Sequence, residues 1–154
     1  MKKKIIMGCL SRGDADQPYL TRYTLLQFRG WALYLHIFHR SDHDTPHDHP
    51  WSFWTLILWR GYREEVPEAR AASMVRTGQE RGWSAYLSTG WTSRRRLWPG
   101  TLHYRPATHA HRVELLDGKP AVTLVLRTPY VREWGFFTPT GWQQWREYFE
   151  AMGC

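Results

Sequence analysis

Residues 46–61 read PHDHPWSFWTLILWRG: two histidines one residue apart, then a nearly continuous apolar run closed by a glycine. Aromatic and β-branched residues bounded by Pro50 and Gly61 predict a strand over Trp51–Trp59, buried on both faces. In extended backbone, residues i and i+2 share a face and stand roughly 6 to 7 Å apart along the chain. His47 and His49 therefore point the same way. Asp48 faces the other side, which suits a group behind a ligand, or on the surface, better than a third ligand. Working outward, Arg22–Phe28 and Trp31–Phe38 alternate across Arg29-Gly30, a two-residue hairpin connection. Short strands are expected near Ala72–Arg76 and over Trp83–Ser88, Ser93–Trp98, Thr101–Arg105 and Trp134–Thr138. HRVELL and AVTLVLRT flank the turn Asp117-Gly118-Lys119-Pro120 and read as a second hairpin. The period then changes: Thr140 and Gln143 form a capping box, and Trp142, Trp145, Phe149 and Met152 fall on one face of a helix over about 141–151. The chain reads as all-β, a sandwich, jelly roll or small barrel with a short C-terminal helix.

The 154 residues carry no Ser- or Gly-rich linker and suit one domain, 1–154. No apolar run approaches the roughly 20 residues of a membrane helix, and the basic start MKKKIIMGCL is too short in apolar residues for a signal peptide. The expected address is the cytoplasm, without membrane association. Cys9 and Cys154 lie near opposite ends and read as free thiols. The net charge of +7 and the run Arg94, Arg95, Arg96 raise a nucleic-acid reading, against the plainer one of a solvated basic face.

All eight histidines fall in two windows, 36–49 and 103–111. His36, His39 and His43 precede the pair and are assigned to strand and loop surface. The sequence HxH, a Gly twelve residues on, then G-x5-P-x4-H on Gly100, Pro106 and His111 resembles the two signature motifs of the cupin superfamily. Over about residues 20–137 the chain is also similar to a small family of phage and prophage cupins. The resemblance implies a cupin double-stranded β-helix, or jelly roll, whose two motifs bring His47, His49 and His111 together as ligands of a divalent transition metal. It also implies a homodimer. The departures matter. Counting back seven from Gly61, the glutamate ligand of the family falls on Trp54, which would fill the acid's place. Ser41, Thr108 and Leu115 replace two glycines and an asparagine of the motifs. Three neutral imidazoles still suit Fe, Ni, Zn or Cu and leave positions open for a small-molecule ligand. His109, His103 and Tyr104 are candidates to replace a ligand or to hydrogen-bond one from behind, each also readable as an ordinary strand or core residue. Glu64 and Glu65, past the turn, are assigned to the surface.

Three classes stay open. The first is a metal-dependent enzyme, most concretely an Fe(II) dioxygenase or a related oxidase or isomerase. The second is a non-catalytic cupin holding a small ligand, and the third a basic phage or nucleic-acid partner protein acting through Arg94–Arg96.

Overall fold

The computed structural model describes residues 1–42, 45–67, 93–138 and 141–154. Two antiparallel layers face each other. The first is a six-stranded sheet built from β1 (Lys2–Met7), β2 (Pro18–Phe28), β3 (Trp31–Phe38), β4 (Phe53–Trp59), β7 (Leu102–Arg105) and β9 (Ala121–Arg127), in the order β1-β2-β3-β9-β4-β7. The second contains β5 (Tyr62–Val66), β6 (Ser93–Leu97) and β8 (Arg112–Leu115), in the order β6-β5-β8, and a hairpin of β10 (Gly135–Thr138) with β11 (Gly141–Gln144). His47 joins these two pieces by bridging to His111 on one side and Phe136 on the other. The expected strands near 72–76 and 83–88 lie outside the described residues.

The β2–β3 hairpin forms as expected, with Phe28 opposite Trp31. Arg29 and Gly30 both take positive φ, 47° and 83°, the backbone that a two-residue turn matched to strand twist requires. Gly61 is more constrained still: its φ is 76°, and a Cβ there would lie 2.1 Å from the Leu97 carbonyl oxygen. Only glycine lets the chain turn so close to β6.

Four expectations are corrected. HRVELL and AVTLVLRT are not a hairpin: β8 pairs with β5 and β9 with β3 and β4, so the turn at Asp117-Gly118 carries the chain between layers. Their inward residues, Val113, Leu115 and Ala121, meet across the interior instead. The run 51–59 is a strand only from Phe53. It is not buried on both faces, since Leu58 and Trp59 are exposed. The helix, α1 (Trp145–Met152), starts later than 141, because Gly141–Gln144 pairs with β10 and Gln144, not Thr140, caps it through a bond from the Arg146 amide. Finally, Cys9 and Cys154 form a disulfide. Their distance in sequence hid it: the Leu10 amide donates to the Gly153 carbonyl, so the two ends of the chain lie side by side.

The interior of the six-stranded sheet has an unusual order. Each of three adjacent strands places apolar, polar and apolar residues inward: Tyr34, His36 and Phe38 on β3; Val125, Thr123 and Ala121 on β9; Phe53, Thr55 and Ile57 on β4. One apolar end packs as Ile57, Tyr62, Leu97, Val113, Leu115 and Ala121, with Phe38 against it. The other packs as Ala32, Tyr34, Phe53 and Val125, with Trp51 against it. A polar belt separates them.

Candidate functional site

The segment carrying His47 and His49 behaves as a strand of the second layer. The His47 amide donates to the His111 carbonyl and receives the reciprocal bond, each at 3.0 Å, and the His49 amide donates to Ala107. Asp48, between them, points to the opposite side as the spacing predicts. It is buried there, its carboxylate accepting from the Gly135 amide at 2.8 Å and from Arg132. Burial raises its pKa against these bonds. Asp48 thus pins the histidine segment between β8 and β10.

With register fixed this way, the three imidazoles converge. His49 Nε2 and His111 Nε2 are 2.8 Å apart, the His47 ring centroid lies 5.0 and 5.2 Å from those of His49 and His111, and one ring nitrogen from each falls within 4.8 Å of the others. Burial, then the neighbouring His111 and His47, push the His49 pKa well below its usual value, with a further contribution from Arg22. A neutral imidazole is the form that ligates a metal.

The carboxylate that sequence could not find comes from Glu64, assigned to the surface but only 2% exposed. On β5 it points inward, its Oε1 2.8 Å from His111 Nδ1 and 3.2 Å from His109 Nε2, and Arg105 grips both its oxygens. Burial opposes its charge, but the hydrogen bonds from His109, His111 and Arg105 prevail and hold its pKa well below the carboxylate range. An ionised Glu64 can only accept, so His111 carries its proton on Nδ1 and turns the Nε2 lone pair toward His49 and His47. Strand alternation gives the one clue to this: Glu64 is two residues from Tyr62, on the same face of β5. Glu64, His109 and His111 also form a second group with metal-ligand spacing. Glu65, equally buried, faces the other way and pairs with Arg94 at 2.8 Å and Arg112 at 2.6 Å.

The remaining candidates divide. His109 joins the cluster through Glu64. His103, on β7, does not; it hydrogen-bonds Thr101, just before that strand. Tyr104 is 49% exposed and packs on Trp54, whose ring stacks on Trp31, so Trp54 and Tyr104 both lie on the outer face. The inward residue is Phe53, its ring 4.8 Å from His49 and 6.1 Å from His111. Phe53, not Trp54, fills the space beside the imidazoles. His36, assigned to the surface, is buried inside the barrel, and desolvation, with Arg22 adding to it, lowers its pKa well below the usual value. His43 lies outside the described residues. Arg94, Arg95 and Arg96 are exposed on β6, with Arg94 paired to Glu65 and Arg96 stacked 3.7 Å above Trp98.

The imidazoles line a cavity of about 860 Å³ between the two layers. Such a two-layer closure has counterparts among solved structures. A cupin-2 domain from Rhodospirillum rubrum superposes with a TM-score of 0.58, at 12% identity, over 89% of this chain and 75% of that one. The fold is that of a cupin domain. A protein of Ralstonia eutropha JMP134 described as a candidate mannose-6-phosphate isomerase matches at TM-score 0.51 and 22% identity, over 73% of this chain and 87% of that one. The DMSP lyase DddQ of Ruegeria pomeroyi DSS-3 matches at 0.50 and 21%, over 80% of this chain but only 56% of that one. No family model and no curated protein sequence matches this chain. None of these three structures carries the narrower likeness to phage and prophage cupins. No helix among the described residues is long and apolar enough to cross a membrane.

Proposed function

We propose that this cupin-fold chain is a metal-dependent enzyme acting on a small molecule, with His47, His49 and His111 as its ligands, of the Fe(II) dioxygenase type or a related oxidase or isomerase. The observation that carries the reading is the convergence of three imidazoles on the wall of a cavity between the two layers, with Glu64 fixing the tautomer of one of them. The donor set fits a divalent transition ion: three nitrogen ligands, His49 held neutral by burial, leave coordination positions open. Glu64 is the poorer ligand of the two groups, because Arg105, His109 and His111 already occupy its oxygens. A bound ion of this kind supplies Lewis acidity or one-electron chemistry. Around it the chain's own groups divide the work: Glu64 orients His111, His109 extends the hydrogen-bond chain through the carboxylate, and Phe53 keeps water from one flank.

The test is oxygen consumption and product formation by Fe(II)-loaded protein over a panel of small substrates, beside the His47→Ala/His111→Ala variant. Turnover that the variant lacks supports the enzyme. Metal retained by the parent without turnover of any substrate contradicts it and favours a cupin that only binds its ligand.

A further inference from the structure

The polar belt of the six-stranded sheet is not needed for the ligand set, and its composition is one-sided. Arg22, opposite His36 in the β2–β3 register, points into the cavity, where its Nε donates to His36 Nε2 at 3.0 Å and its guanidinium lies 4.7 Å from the centre of the Tyr34 ring. Among the described residues no carboxylate lies within ion-pairing distance of it. An enclosed guanidinium without a counter-charge is costly to bury. Beside it, the Tyr34 hydroxyl accepts from Arg127 Nε at 3.0 Å, so its lone pair is engaged while its own proton finds no acceptor among the described residues. Thr123, wholly buried and opposite His36 on β9, lines the same cavity, and its hydroxyl has no hydrogen-bond partner among the described residues. A cation and two hydroxyls thus face one space, and the two carboxylates that also line it are engaged elsewhere, Asp42 by Tyr19 and the Val113 amide and Glu133 by Gln144. The rest of that space is walled by aromatic rings, Phe38, Trp51, Phe53, Trp134 and Phe136 among them.

We propose that the cavity takes a small organic oxyanion with an apolar body, its carboxylate or phosphate held by Arg22, Tyr34 and Thr123 while its other end lies toward His47, His49 and His111. This rests on the proposed function only for the second half of that statement; the anion clamp is built by the opposite sheet from different residues. Arg22 matches an oxyanion with paired donors, and enclosure strengthens each charged hydrogen bond.

Benzoate, phenyl phosphate and the neutral isostere benzamide are the probes, titrated against metal-free full-length protein by tryptophan fluorescence, since Trp51 and Trp134 line the cavity. Benzoate or phenyl phosphate should bind at least tenfold more tightly than benzamide, and Arg22→Gln should abolish that preference. The better of the two anions identifies the end group. Because Arg22 has no acid partner, Arg22→Gln should melt no lower than the parent. Should it nevertheless fail to fold, the Tyr34→Phe/Thr123→Val variant carries the test, with a loss of at least threefold in anion affinity and none for benzamide. Equal binding of anion and amide, or anion affinity unchanged by these variants, overturns the clamp. Metal content measured on the same preparations separates the two proposals: anion binding with no metal uptake removes only the proposed function, and metal uptake without anion preference removes only this inference.

Discussion

Glu64 joins the fold to the site, and its removal should damage both measurably. Its side chain is 3% exposed and that of Arg105 13%, so the pair is screened little by solvent. Glu64→Ala leaves the Arg105 guanidinium and the N–H groups of His109 and His111 facing a space with no acceptor. Breaking one partner of a buried ion pair costs about 3–5 kcal/mol, a large share of the 5–15 kcal/mol typical of a whole domain. Replacing both partners at once, as Glu64→Leu/Arg105→Met, leaves no orphaned charge and should recover most of that loss. Metal affinity should not recover with it. Without the acceptor behind Nδ1, the His111 tautomer and ring angle are no longer fixed, and affinity should fall about 10- to 100-fold. Urea unfolding of the metal-free proteins gives the first quantity and calorimetric titration with Zn(II) the second. A Glu64→Ala loss below about 1 kcal/mol, or a double variant that binds metal as tightly as the parent, would refute the reasoning.

Acid should weaken the metal-free protein well before its carboxylates titrate. His36 and His49 are held neutral when folded, their pKa values well below 6.5 through burial, so their contribution is complete above pH 6.5 and shrinks below it as the unfolded chain takes up protons that the folded chain refuses. At about 1.4 kcal/mol per pH unit for each group, the two together lose up to about 4 kcal/mol between pH 6.5 and 5; urea midpoints that are flat over that window contradict their burial as neutral rings. Glu64, held below the carboxylate range, adds its own loss only under about pH 4.5. Phe53→Glu puts a carboxylate beside His49 and His111 and should raise Zn(II) affinity at least tenfold, whereas Trp54→Glu, on the outer face, should leave it unchanged; calorimetry on the two variants decides which residue flanks the site. Closing a loop with a sequence separation of 145 residues, the Cys9–Cys154 disulfide should stabilise by up to about 5 kcal/mol on the chain-entropy estimate. Intact mass with and without alkylation shows whether the thiols are free, and reduction should lower the melting temperature. Disulfides persist in oxidising compartments, which sets this bond at odds with a cytoplasmic address.

The layers and the histidine set were legible because both rest on local rules. The i, i+2 spacing put His47 and His49 on one side, and Arg29-Gly30 marked a true turn. What sequence missed depends on which strands lie together. Asp117-Gly118 has the chemistry of a hairpin, yet its flanking strands pair elsewhere, since the inward residues on both sides bury better across the interior than beside each other. Glu64 looked like surface because a carboxylate just past a turn usually is; only the approach of β7 and of the segment leading into β8 supplies Arg105 and His111 to hold it. Trp54 and Phe53 differ by one residue, and parity sends each to an opposite face. A count from a motif glycine cannot show the irregularity in pairing between Ile57 and Trp59 that lies on the way. The Cys9–Cys154 bond spans nearly the whole chain and has no local signature.

Anomalous scattering from crystals of protein purified without a nickel column tests the central claim most directly. The expected result is one peak about 2.0–2.1 Å from a ring nitrogen of each of His47, His49 and His111, absent from the His47→Ala/His111→Ala variant. No peak at that point after soaking with Zn(II), or a peak held by Glu64 and His109 instead, would contradict it.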